Sequence, residues 1–277
     1  MSDTVLLRRE GALARITLNR PGSLNAVDAE MAARWRDVAA EVAGDPSIGG
    51  VILDAAGRAF CAGGDVVSMA TSGMGGEAVT ETARIINDGI VSLTSSSVPV
   101  VAAVQGAVAG GGLGIMLAAD YIVAAPGAVF VSKYADIGLT PDLGVSTLLP
   151  AAIGQRRALQ LLLSDTTIDA ETAHAWGLVT EVAADPGQRA AEIAEAWIGG
   201  ATAAFGQAKR LVRAGSARSF AESLDDEART IGGRFGGDEA RARIEAFAAA
   251  SARRTRTGDR ATAPTPAPTP TPTEEKP

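Results

Sequence analysis

Two glycine-rich stretches follow apolar runs, VILDAAGRAFCAGGD at 51–65 and VVAAVQGAVAGGGLG at 100–114. Glycine inside a regular element costs roughly 0.5–1 kcal/mol against alanine. Gly110, Gly111 and Gly112 accept that cost in succession, within a stretch, 98–119, that carries no charge. Glycine at a strand-to-helix junction lets a ligand reach main-chain N–H groups. The first N–H groups of a helix have no internal partner and sit at its positive end. Two such junctions side by side aim two N–H donors at one point, an oxyanion hole built without side chains. Tight helix–sheet packing accounts for either loop alone; the pair favours the hole.

Asp142 lies in IGLTPDLG at 137–144, among apolar residues. A carboxylate serves as a base when burial raises its pKa toward working pH. The apolar neighbours Leu139, Leu143 and Val145 are expected to supply that burial. Pro-Asp before a helical run is also a helix-start signal, so capping is the competing reading. Asp136 is a weaker second candidate, and Asp65 and Asp120 read as structural.

Other chemistry has little support. The single His174 and single Cys61 cannot form a His/Cys metal cluster, and His174, in the helical run ETAHAWG, reads as a partly exposed structural residue. No G-x-S-x-G or G-x-x-x-x-G-K-[ST] occurs. GMGGEA at 73–78 matches G-x-G-x-x-A without a leading strand and reads as a surface loop.

The elements that must position these groups follow from pattern. Val5–Arg9 and Ala12–Leu18 read as a hairpin turning at Gly11. Residues 29–42 have helical apolar spacing behind Asp28 as cap. GGVILDA, VPVVAAVQG, DYIVAA and AVFVS read as strands, and 78–95, 112–119, 147–163 and 170–176 as helices. Strand–helix alternation to about residue 200 predicts an α/β domain. Beyond about residue 187 the pattern is helical only, to about Arg254, and a Pro/Thr-rich tail expected to be disordered fills 255–277.

Composition narrows the function. A net charge of −7 argues against nonspecific nucleic-acid binding, which needs a basic face. The apolar stretch 98–119 is long enough to span a membrane, but Pro99, Gln105 and its five glycines favour a buried strand, turn and helix. One cysteine excludes an intrachain disulfide, and MSDTVLLRRE has no signal-peptide apolar run, so a cytoplasmic location is expected.

ITLNRPGSLNA, GRAFCAGGD, PVVAAVQGAVAGGGLGIMLAAD and IGLTPDLGVSTLLPAAIGQRRALQLLL, followed by AHAWGLVTEV, occur in this order. Together, from about Val5 to Arg254, they resemble the enoyl-CoA hydratase/isomerase, or crotonase, superfamily. The resemblance implies a spiral of ββα turns over 1–200 and a C-terminal helical region over 201–254 that packs into homotrimers, often paired as hexamers. It implies an acyl-CoA thioester as substrate and no separate cofactor, coenzyme A being part of the substrate. The thioester oxygen is then held by the N–H groups of Gly64 and Gly111. Ser23, Leu24 and Ala26, with Ala62, Gly63, Asp65 and Val66, are implied to wall the coenzyme, and Lys209 resembles a lysine near its phosphates. Lys209 is one of only three lysines, and a solvated helix-face residue is the competing reading.

The sequence departs from a hydratase where water addition needs two carboxylates. Those positions hold Gly114 and Tyr134 here. Asp142 matches members that shift a double bond, including ring-type isomerases of phenylacetate breakdown, so a double-bond isomerase is favoured. Tyr134 is expected to line the acyl pocket or bond the substrate. The alternatives are hydration by an atypical acid, hydrolysis with Asp142 as nucleophile as in related dehalogenases, and a non-catalytic acyl-CoA-binding protein.

Overall fold

The computed structural model describes residues 3–215 and 217–257 of the chain. In chain order the elements are β1 (Val5–Glu10), β2 (Leu13–Leu18), α1 (Ala29–Gly44), β3 (Gly50–Ala55), α2 (Val66–Thr71), α3 (Gly76–Ser95), β4 (Val100–Val104), β5 (Ala107–Ala109), α4 (Gly111–Leu117), β6 (Tyr121–Ala124) and β7 (Val129–Val131). There follow α5 (Val145–Ile153), α6 (Gln155–Leu163), β8 (Thr167–Asp169), α7 (Ala170–Trp176), β9 (Glu181–Val182), α8 (Pro186–Gly199), α9 (Thr202–Gly215), α10 (Phe220–Phe235) and α11 (Asp238–Thr257).

Among the described residues a six-stranded sheet runs β1-β2-β3-β4-β6-β9 and a three-stranded one β5-β7-β8. The first hairpin is antiparallel, and every later pairing in the larger sheet is parallel. β4, read as VVAAV, is buried along its whole length, as a parallel strand covered on both faces must be. Trp35, Val38 and Leu93 help to form the core on one face, where α1 packs against α3. Ile52, Val101 and Val123 meet Ala190, Ile193 and Ala194 of α8 on the other.

The apolar stretch 98–119 is thus β4, β5 and α4, and no helix among the described residues is long and apolar enough to cross a membrane. The helix expected over 147–163 is two helices, because Gly154 (φ 79°, ψ 152°) breaks it. The short strands β5, β8 and β9 had no period long enough to read from sequence.

The described chain forms two compact units, one ending at Asp226 and one beginning at Glu227, so residue 200 falls inside the first. In the second unit, Glu239 of α11 pairs with Arg234 at 2.9 Å and Arg243 at 3.3 Å. The tail lies outside the described residues from residue 258 on.

Candidate active site

The C-terminal ends of β3 and β5 lead into the two glycine loops. Cys61 joins the loops, its N–H donating to Ala107 O at 3.2 Å and its carbonyl accepting from Ala109 N at 2.9 Å. The next residues turn to another strand-like segment: Ala62 N donates to Leu24 O at 3.0 Å, Val27 N to Gly63 O at 2.8 Å and Asp65 N to Val27 O at 2.9 Å. Ser23–Ala26 and Ala62–Val66, the two expected walls, therefore lie against each other. Leu24 (φ 52°) and Asn25 (φ 56°) make the left-handed turn that brings them there. The buried Asn25 side chain fixes that turn by donating to Ala56 O and Ala59 O at 2.9 and 2.8 Å and accepting from Arg20 N at 2.7 Å.

This bonding decides where the Gly64 amide points. The Gly63–Gly64 peptide is trans, so its N–H is opposed to its carbonyl. The carbonyl goes to Val27, and the N–H points the other way, toward β5 and the start of α4. Likewise the Gly110 carbonyl accepts from Leu113 N at 3.0 Å, so the Gly111 N–H points outward from the first turn of α4. The two loops touch here: a Cβ on Gly63 would sit 3.3 Å from the Gly111 nitrogen. Neither the Gly64 nor the Gly111 N–H has an acceptor among the described residues.

The glycine run divides its work. Gly110 adopts φ 52°, ψ −125°, a conformation that L side chains rarely take. Gly112 and Gly114 are closed by packing, since a Cβ would lie 2.4 Å from Cys61 O and 2.1 Å from Leu143 O respectively. Position 114, where a hydratase carboxylate is expected, therefore has no room for any side chain while Leu143 holds its place. Packing and an oxyanion hole are both present in one run of glycines.

Asp142 lies beside this space. Its Oδ1 is 3.5 Å from the Cβ position of Gly111. It does not cap α5: the cap is Gly144, and Val145 N donates to the Asp142 main-chain carbonyl at 2.9 Å. The carboxyl instead accepts a 2.6 Å hydrogen bond from Tyr134 Oη. Burial is the largest influence on Asp142 and raises its pKa, while the Tyr134 bond opposes the shift by favouring the charged form. As a residue Asp142 is exposed, so its enclosure is local to the carboxyl. Leu143 and Val145 are buried beside it, but Leu139 is 49% exposed and supplies none of the expected burial. The Tyr134 phenol, itself buried, has its pKa raised by burial first and then by the Asp142 charge. Its hydroxyl is spent on Asp142 rather than turned to a ligand.

Other candidates lie elsewhere or are committed. Asp136 is at the surface, paired with Lys133 at 2.6 Å. Asp65 caps α2 through Ser68 N at 3.0 Å. His174 is exposed, its Nδ1 3.2 Å from Val179 O. Cys61 is buried, which pushes its thiol up to about 11 and leaves it unreactive. No group of three metal-ligating side chains occurs among the described residues.

Lys209 is a correction. Its ammonium donates to Leu93 O at 2.8 Å and Val98 O at 2.7 Å and pairs with Asp120 at 2.9 Å, which uses its three protons. These partners lie at the N-terminal end of β4, whereas the glycine loops follow the C-terminal ends of the strands. Its side chain is 4% exposed, so it ties α9 to the sheet and has no proton left for a phosphate. Lys209→Met is expected to lower unfolding stability by about 1–3 kcal/mol, because the Leu93 and Val98 carbonyls lose their buried donor while Asp120 keeps its pair with Arg213 at 2.9 Å. Denaturant titration checks this, and KM for an acyl-CoA should stay near the wild-type value in the folded fraction.

Sequence reasoning did not find Met69, whose Cε lies 3.0 Å from the Cβ position of Gly64, nor the roles of Val27 and Arg20. Val27 acts through a single long-range bridge, which leaves no periodic signal.

A mixed α/β core whose two glycine loops touch beside one partly buried carboxyl belongs to the class of sites that can hold an acyl oxygen on main-chain amides. Comparison with known proteins narrows the class: the enoyl-CoA hydratase/isomerase family profile matches residues 8–252, and the chain belongs to that family. It is 39% identical, over 69% of its length and 74% of the relative's, to a probable enoyl-CoA hydratase of Mycobacterium tuberculosis, EchA14. It is 35% identical, over 67% of its length and 71% of the relative's, to the 1,2-epoxyphenylacetyl-CoA isomerase of Escherichia coli. A crystal structure of an enoyl-CoA hydratase from Polaromonas sp. JS666 superposes with a TM-score of 0.82 at 30% identity, covering 88% of this chain and 96% of that one.

Proposed function

We propose that this chain is an enoyl-CoA isomerase that moves a C=C bond along an acyl-CoA, with Asp142 as the proton carrier. The observation that carries the reading is the arrangement of acids. Position 114 is sealed by Leu143 O, position 134 is a tyrosine, and one carboxyl, Asp142, borders Gly111. In the proposed reaction ionised Asp142 removes a proton from C2 of a 3-enoyl thioester. The electron pair moves onto the thioester oxygen, where the N–H groups of Gly64 and Gly111 accept the developing charge. Asp142 then returns the proton to C4, and the double bond comes to rest between C2 and C3. No atom is gained or lost.

The test is to offer 2-enoyl, 3-enoyl and aryl-substituted CoA esters in deuterated water and follow mass and absorbance. Isomerisation gives a 2-enoyl product of unchanged formula apart from deuterium. Addition of water, the activity named for most of the relatives, raises the mass by that of water and would overturn the proposal, as would a stable acyl-enzyme or a failure to convert any 3-enoyl ester to its 2-enoyl isomer.

Tyr134 tunes the same step. Because the base must be ionised, kcat/KM falls as pH drops through the raised Asp142 pKa, so the acid limb should inflect above the ordinary aspartate value of ~3.9. Tyr134→Phe removes a bond that favours the ionised form, so its acid limb should move to still higher pH. An unmoved or lowered inflection in the pH–rate profile contradicts this.

For assembly we propose a homotrimer, alone or as a pair of trimers, formed through the C-terminal helices. In the second unit, Ile231 and Phe235 on α10 and Phe247 on α11 are large apolar residues left 69–74% exposed, which supports a covered surface there; light scattering reads the state.

A further inference from the structure

One guanidinium holds both sides of the bridge that orients Gly64. Arg20 Nη2 lies 2.9 Å from Asp28 Oδ2 and 3.0 Å from Asp65 Oδ2, and its Nη1 donates to the Ala26 carbonyl. Ala26 and Asp28 flank Val27, and Asp65 follows Gly64. The two acids share their oxygens in the same way. Asp28 gives Oδ1 to Met31 N at 2.8 Å to start α1, and Asp65 gives Oδ1 to Ser68 N at 3.0 Å to start α2. Each helix therefore has its cap without Arg20. What the arginine adds is the spacing between the two helix starts, across which the Val27–Gly64 bridge is strung. The side chains are well enclosed, with Arg20 19%, Asp28 23% and Asp65 14% exposed.

We propose that Arg20 is a positioning residue for the Gly64 donor, acting by clamping Asp28, Asp65 and the Ala26 carbonyl on one planar fork. The proposal rests on the proposed role of Gly64 as an oxyanion donor. A guanidinium presents several donors in a fixed plane, whereas an ammonium is a point charge on a flexible stem. Lysine at position 20 offers a single nitrogen, which cannot stand both where Nη2 meets the two carboxylates and where Nη1 meets the Ala26 carbonyl. A donor used mainly in the transition state, once loosened, lowers kcat while leaving substrate binding nearly intact.

The test compares Arg20→Lys and Arg20→Met with wild type in folded, full-length protein. In both variants kcat on a 3-enoyl-CoA is expected to fall about 10- to 100-fold, the scale of a displaced catalytic group, with KM changed by less than about threefold. If Arg20→Met does not fold, Arg20→Lys carries the same comparison. Infrared difference spectra of bound butyryl-CoA, which has no double bond to move, supply a second readout. The thioester carbonyl stretch should shift to lower frequency in the wild type and recover toward the free-ester position in both variants. A variant with wild-type kcat, or with the full wild-type carbonyl shift, overturns the clamp and leaves Gly64 in its role. A wild-type carbonyl stretch indistinguishable from the free ester overturns the role of Gly64 itself.

Discussion

Asp142→Asn is expected to abolish most turnover of a 3-enoyl-CoA, lowering kcat by about 10²–10⁴-fold, the range for loss of a positioned general base. The substitution is nearly isosteric, and the amide oxygen can still accept the Tyr134 hydroxyl that now sits 2.6 Å from the carboxyl. The helix start should survive, because α5 uses the Asp142 main-chain carbonyl and not its side chain. Folding and affinity for CoA esters should therefore match wild type, and the loss should lie in the chemical step. Single-turnover kinetics beside a binding titration separates the two. Wild-type turnover in the asparagine variant would remove Asp142 from the mechanism.

Gly111→Pro gives the second large effect, and it removes a backbone donor that no side-chain change can touch. Gly111 is the first residue of α4, the position where proline is best tolerated in a helix because its missing N–H has no helical partner. The ring also brings a Cβ that would meet Leu143 Cδ1 at 2.7 Å, the mobile end of a side chain. Gly111→Ala brings the same Cβ and keeps the N–H, so the ratio of the two variants reads the loss of the donor together with the ring Cδ that takes the hydrogen's place. Gly111→Pro should turn over about 10²–10³-fold more slowly than Gly111→Ala, the loss typical of one oxyanion-hole donor. Equal rates would mean that the Gly111 amide carries no developing charge.

Much of this site could be read before the fold was known, because its parts are local. The hairpin, the capped α1, the buried β4 and the glycine loops each announce themselves within a short window, and Asp142 stands in a short motif of its own. What could not be read depends on contacts between distant segments. The Tyr134–Asp142 bond is one such contact, since an eight-residue separation gives no hint that a turn folds them together. Lys209 matches a phosphate-side lysine by resemblance of its motif, yet a lysine on a helix can equally close the end of a sheet. Gly114 read as a missing acid; its closeness to Leu143 O shows a packing demand that only coordinates reveal. Residues 147–163 read as one helix because apolar periodicity continues across Gly154, where the backbone does not.

The central claim is that the amides of Gly64 and Gly111 converge on one thioester oxygen beside Asp142. Its most direct measurement is a crystal structure with a slowly turned-over acyl-CoA bound to the Asp142→Asn protein. The thioester oxygen is expected about 2.7–3.1 Å from both nitrogens, hydrogen-bonding distance for an oxyanion hole, with C2 facing residue 142. A bound ester whose oxygen meets neither amide would contradict it.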